Sequence, residues 1–271
     1  MRVTCGLILC CWLYGSVAAQ STTDLLGHAR SSALGSATTA LASDVGVHSN
    51  PAAWATRAAR AVTFFARQAY GLAELRYGAL QYLEPTGWGT LAGGLSTFGF
   101  SDYREVHVSA GYARGVSLGT SRTLFAGATA RYYHTAIAGY GSAGALAFNA
   151  GLLFRPRPAL AVAAHATNLH GAALGGHTLP QTLALGAAYA ATERVTVVAD
   201  VFKQIRYPLA VRGGVEVHPV DVLALRAGIT TAPTRFTSGV GLRLGRLAAD
   251  LAVTQHLVLG WTPAASLSIH W

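Results

Sequence analysis

From Ala61 to Trp271 apolar side chains recur at nearly every second position. A period of two commits a chain to strands, because successive side chains of a strand point to opposite faces. Between Arg194 and Phe202, Val195, Val197, Ala199 and Val201 fall on one side and Arg194, Thr196 and Asp200 on the other. In 209–218, Leu209, Val211, Val215 and Val217 oppose Arg212, Glu216 and His218. In 222–230, Leu223, Leu225, Ala227 and Ile229 oppose Arg226 and Thr230. The same alternation sets Phe236, Val240, Leu242 and Leu244 against Arg235, Thr237 and Arg243, and Leu247, Leu251 and Val253 against Asp250, Thr254 and His256.

Such strands fit a sheet with one face in lipid and one in a polar lumen, or a soluble sandwich with one wet face. Composition separates the two. Charged residues make up only 11% of the chain, against roughly 25% in soluble domains, and mean hydropathy is +0.37. After the first residues, no stretch approaches the ~18 uninterrupted apolar residues of a spanning helix. High hydropathy without such a stretch is the signature of membrane-crossing strands. Trp261 and Trp271 share one face of the last strand with Ala265, Leu267 and Ile269. Ten residues apart, the tryptophans are separated by roughly 33 Å of strand. A tilt of about 40° reduces that to the ~25 Å of an apolar band between two aromatic girdles. Strand candidates begin near Ala61, Ala73, Trp88, Tyr103, Arg122, Ser142, Leu160, Thr182, Arg194, Leu209, Val222, Arg235, Leu247 and Trp261. The expected fold is all-β: a transmembrane antiparallel β-barrel of about fourteen strands with a short N-terminal helical plug.

The N-terminus reads as an export signal. Arg2 is followed by an apolar run from Cys5 to Tyr14 and by Val17-Ala18-Ala19, a small-x-small cleavage site. The expectation is a signal peptide at 1–19, a plug segment at 20–60 and a barrel at 61–271. Every cysteine (Cys5, Cys10, Cys11) lies in the signal, so the exported chain has no disulfide to hold it. A closed ring of paired strands supplies the alternative. Within the plug segment, 25–45 is rich in small residues. Asn50 is then placed to cap a short helix that begins at Pro51 and carries Ala52 and Trp54.

The formal charge of +9 rests almost entirely on arginine, Lys203 being the only lysine. The arginines are scattered singly at strand spacing, which with the export signal argues against nucleic acid as a partner. Arg131, Arg194, Asp200, Arg212, Glu216, Arg226, Arg243 and Asp250 are assigned to the lumen. There they form a paired network that satisfies buried charge and fixes the plug, or bind an anionic or amphipathic solute. Gly115-Val116-Ser117-Leu118-Gly119 matches the G-x-S-x-G pattern, which needs a strand, a sharp turn and a helix. Here it sits between strand-like segments and reads as a turn. His165, His170 and His177 have no compact zinc spacing. No enzyme activity, metal or cofactor is expected.

Several segments together resemble a known family. They are Ala29-Arg30, Ala33-Leu34-Gly35, Thr39-Ala40-Leu41-Ala42-Ser43-Asp44 and Asn50-Pro51-Ala52, then Leu179-Pro180, Leu185-Gly186, Ala199-Asp200-Val201, Lys203, Val211-Arg212, Gly214, Glu216, Leu223, Leu225 and Arg226-Ala227-Gly228. The pattern resembles the PorV/PorQ-type outer-membrane proteins, which belong with the FadL-like long-chain fatty-acid transporters. The resemblance implies a fourteen-stranded barrel with its N-terminal segment folded into the lumen, in the outer membrane of a Gram-negative bacterium. It implies either binding or passage of hydrophobic solutes, or a part in type IX protein secretion through protein partners. The expected partners are outer-membrane lipid, hydrophobic small molecules or secretion-system proteins, and the barrel-assembly machinery. That machinery reads a terminal strand ending in an aromatic, which Leu267, Ile269 and Trp271 provide.

Overall fold

The computed structural model describes residues 27–42, 46–119 and 122–271. The expected signal peptide and its cleavage site, and Ser43 and Asp44, lie outside the described residues. The chain closes into a barrel of fourteen antiparallel strands in which each strand pairs with its neighbour in sequence, and the first pairs with the last. The strands are Ala61–Gln68, Arg76–Thr86, Gly89–Gly99, Tyr103–Leu118, Arg122–Ile137, Gly141–Arg157, Leu160–Thr167, Thr182–Thr192, Val195–Gln204, Ala210–Val220, Leu223–Thr231, Thr234–Leu244, Leu247–His256 and Gly260–His270. They begin within three residues of the positions the alternation marks. The widest difference is at Ala73, where a 3-10 turn over Ala73–Leu75 delays the strand to Arg76. Closure leaves no edge along the paired wall, so the backbone needs no water there.

The register turns the alternation into two chemically opposite surfaces. Phe64, Leu80, Leu95, Val108, Leu152, Leu185, Val201, Ile229, Phe236, Leu251 and Leu267 are exposed on the outer face. Thr63, Gln81, Ser96, Thr129, Asn149, Asp200, Glu216, Arg226, Thr237, Asp250 and Ser268 point inward and are buried. A soluble protein distributes these residue types the other way round. Trp261 and Trp271 project from the outer face near opposite ends of the last strand, 56% and 48% exposed. Trp271 stacks on Tyr82, ring centroids 6.4 Å apart, and Trp88 on Tyr112 at 5.3 Å. These pairs make an aromatic rim at the end of the barrel where the first strand begins and the last one stops. Turns at that end are short (87–88, 158–159, 193–194, 221–222, 245–246), and the longest loops (69–75 and 168–181) lie at the other. The loop 168–181 contains a small hairpin, Ala173–Leu174 against His177–Thr178, and drops Leu179 onto the inward-facing Tyr133 and Ala147.

Candidate functional site: the occupied lumen

Residues 27–42 and 46–56 run inside the cylinder. The short helix Ala29–Ala33 touches the strands of 223–270, and the 3-10 helix Pro51–Thr56 touches those of 89–157. The segment therefore reaches opposite walls, and its described residues are mostly buried and none is exposed. Missing wall side chains let its backbone lie close. A Cβ on Gly228 would come within 2.3 Å of the Gly35 nitrogen, and one on Gly214 within 2.7 Å of the Leu34 carbonyl oxygen. A Cβ on Gly151 would meet the Asn50 Oδ1 at 1.8 Å, and one on Gly111 the Trp54 ring at 2.7 Å.

Asn50 caps the 3-10 helix as its sequence suggests, its Oδ1 accepting from Ala52 N–H at 3.0 Å. Its Nδ2 donates to the Thr39 carbonyl at 2.9 Å and to the wall carbonyl of Leu152 at 3.2 Å. One side chain thus ties the helix, the preceding coil and the wall together. Pro51 and Ala52 follow as the first helical residues, against Gly127. Trp54 is buried among Ala61, Leu83, Ala92 and Ala113, and its indole N–H donates to the Ser49 hydroxyl at 3.1 Å.

On one wall the assigned charges meet. Glu216 and Arg226 are register partners on adjacent strands, and Arg226 Nε donates to Glu216 Oε2 at 2.5 Å. The same guanidinium donates to Asp250 Oδ1 at 2.6 Å. From inside, Arg30 approaches Glu216 through two bonds, Nε to Oε2 at 2.8 Å and Nη2 to Oε1 at 2.6 Å. His28 reaches Asp250 at 3.8 Å. The network therefore crosses from wall to segment, and the alternation of the wall strands alone does not identify Arg30 or His28 as members. Charge-assisted pairs of this kind repay the cost of burying ions only when every partner is held.

The remaining assigned charges take other places. Asp200 accepts from the Thr39 backbone N–H at 3.0 Å and from its hydroxyl at 2.7 Å, so it grips the segment directly. Arg212, opposite Asp200 in register, lays its guanidinium over the Phe202 ring, 3.6 Å from the centroid, and reaches the Ser36 carbonyl at 3.4 Å. Arg131 serves the other wall, donating to the Val47 carbonyl at 2.5 Å and to His48 Nδ1 at 2.7 Å. One assignment is corrected. Arg194 is not lumenal: Thr192 Oγ1 accepts its N–H at 3.1 Å, the chain reverses there, and the side chain is exposed on the turn, donating to the Pro219 carbonyl. Arg243 stands exposed at the mouth near the chain ends. There, on the inward face it shares with Thr237 and Gly241, it lines a cavity of about 60 Å³ with His28, Arg30, Arg226, Asp250 and His270.

Two serine-bearing arrangements take definite places in the wall. The first four residues of Gly115–Gly119 are the end of a strand, and the next described element is the strand Arg122–Ile137, so the reading of this motif as a turn holds only for Gly119. Ser96, His107 and Glu105 do line up, with Ser96 Oγ 3.4 Å from His107 Nδ1 and His107 Nε2 3.3 Å from Glu105 Oε2. All three are buried at 1–2% exposure, and Tyr133 packs on the imidazole. Among the described residues no cluster fit to hold a metal ion occurs.

His48 gives the segment a pH dependence. Burial, then the neighbouring Arg131 cation, then His107 and His165 hold its imidazole well below the usual range, so it is neutral where it accepts from Arg131. An undocked His48 titrates near ~6.5. Docking stability from this group is complete above that value and is lost as pH falls below it, since only the released state readily binds the proton. Limited trypsin digestion across this range is expected to cut the segment faster as the medium acidifies. His48→Gln should flatten the dependence.

No protein-family model matches the chain, and no curated protein matches it in sequence. Solved structures are similar in fold. The toluene transporter TodX of Pseudomonas putida shares 14% identity at a TM-score of 0.60, over 91% of this chain and 97% of that one. A FadL homologue of Pseudomonas aeruginosa shares 11% at 0.60, over 91% and 98%. The outer-membrane protein Omp33 of Acinetobacter baumannii shares 10% at 0.52, over 79% and 98%. At these identities the likeness is one of architecture: the chain has the closed, fourteen-stranded fold to which the FadL homologue and the TodX hydrocarbon channel are similar.

Proposed function

We propose that this chain is an outer-membrane β-barrel that binds or passes hydrophobic solutes, with residues 27–56 as its plug, in the manner of the PorV/PorQ and FadL-like proteins its sequence resembles. The observation that carries this reading is the inverted distribution of residues around an occupied lumen. An apolar outer face rimmed by aromatics asks for lipid. A polar inner face wrapped around its own N-terminal segment leaves a passage that opens by moving that segment rather than the wall. The neighbours that are a toluene transporter and monoaromatic hydrocarbon channels favour an apolar cargo. The short turns at the end bearing the chain ends support a periplasmic position for that end. No enzymatic step belongs to this function.

The weld of Arg30 and His28 to Glu216 and Asp250 also favours a second reading, a filled scaffold of a type IX secretion system that works through protein partners. Removing residues 25–54 separates the two. A solute pathway should gain several-fold in single-channel conductance in planar bilayers, and flux of an aromatic hydrocarbon should rise. A scaffold should keep its conductance and lose its partners in pull-down. The parent requirement is a heat-modifiable band from the outer-membrane fraction. A periplasmic protein whose mobility is unchanged by boiling would remove both readings.

A further inference from the structure

The barrel wall is not level. Strands Tyr103–Leu118 and Arg122–Ile137 are 16 residues long, and Gly141–Arg157 is 17. The strand before them, Gly89–Gly99, pairs with Tyr103–Leu118 only as far as Ala113. Beyond Ala113, residues 114–118 pair with 122–126 on one side. Among the described residues no strand pairs with them on the other. The hairpin thus projects roughly 16 Å past its neighbour, at the end of the barrel that bears the chain ends. Each residue from Arg114 to Leu118 is exposed.

An edge of this kind presents unpaired backbone N–H and C=O groups, a template for another strand. Lipid cannot satisfy it in an ordered way, whereas an extended polypeptide can. The side chains specify the charge of that polypeptide. Arg114 and Arg122 belong to this projecting hairpin, Arg155 and Arg157 follow on the next strand with Arg155 over the Phe125 ring at 5.3 Å, and no Asp or Glu occurs anywhere between Glu105 and Glu193. Four cations without a counter-charge in this stretch repel a second copy of the same edge. They attract a strand bearing carboxylates, and Val116 and Leu118 offer apolar contact between the arginines. We infer that the edge Arg114–Leu118 takes an extended acidic segment of a periplasmic protein by strand addition.

The test uses the full-length protein in phosphatidylcholine nanodiscs and a fluorescent peptide of alternating glutamate and valine, read by anisotropy. The wild type should bind it, and added salt should weaken binding. Arg114→Glu with Arg122→Glu should weaken it by about tenfold or more, as expected for reversing two charges at a steered contact, with the heat-dependent gel shift retained to show an intact barrel. A copy of the peptide methylated on alternate backbone nitrogens, which keeps the charge but blocks one edge, should bind no better than the charge-reversed protein binds the parent. Equal binding of the methylated peptide would overturn strand addition. Unchanged affinity after charge reversal would overturn the acidic partner. Loss of peptide binding in phosphatidylglycerol nanodiscs at constant ionic strength would assign the arginines to lipid headgroups instead.

Discussion

Replacing Glu216 by alanine is expected to release the N-terminal segment from the lumen. The carboxylate sits at 2% exposure and holds Arg30 from the segment and Arg226 from the wall at once. Its loss leaves two guanidinium groups facing each other across the place it occupied, with the Asp250 carboxylate holding Arg226 alone of the two. Removing one partner of a buried pair costs about 3–5 kcal/mol, because the survivor stays charged and desolvated. The wall itself is held by a closed ladder of backbone bonds, so the penalty falls on the docked segment. Limited trypsin digestion reads this directly. Cleavage at Arg30 should become rapid, while the barrel keeps its heat-dependent gel mobility. Cleavage at the wild-type rate would show that the weld is not what retains the segment. Glu216→Gln, which keeps the shape without the charge, should fall between the two.

A second large effect is expected from Gly228→Val, which adds bulk where the structure has none to spare. The new Cβ would lie 2.3 Å from the Gly35 nitrogen and 2.5 Å from the Leu34 carbonyl carbon, both backbone atoms that no rotamer change can move aside. Overpacking a tight interior costs about 1–3 kcal/mol, and more where main chain must shift. The adjacent Ile229 faces outward and is untouched, so barrel closure should survive while the segment loses its seat. Conductance and cleavage at Arg30 should rise together. Gly93→Ala supplies the comparison, since no atom lies within 4 Å of the position its Cβ would take, and it should behave as wild type.

How much of this could be read in advance follows from what alternation records. A period of two registers which face a residue takes, so the strands, their number and the inward position of Asp200, Glu216, Arg226 and Asp250 were legible from residues 61–271. It does not register what stands opposite. Arg30, His28 and Thr39 lie in a segment of small residues with no regular period, and their partners are 161–240 residues away in sequence. Arg194 was misplaced because a turn residue next to a strand continues the alternation by chance until the backbone reverses. One overlooked signal was present in the sequence. Gly111, Gly127, Gly151, Gly214 and Gly228 each occupy an inward position where a polar lumenal side chain would be ordinary, and an inward glycine in a strand marks a close backbone approach. Read together, they trace the path of the enclosed segment along the wall.

The placement of that segment also sets an order of events. Residues 28–39 are among the first made, yet they bond to Asp200, Glu216, Thr237, Ser266 and Ser268, which are supplied by strands from Val195 to the very last one. No such seat exists until the final strand has closed against Ala61–Gln68. The earliest residues are consequently the last to settle, paying the largest loop-closure cost in the molecule. An element that docks after closure can also leave without undoing it, because its contacts form a local unit whose opening leaves the backbone ladder of the ring unbroken.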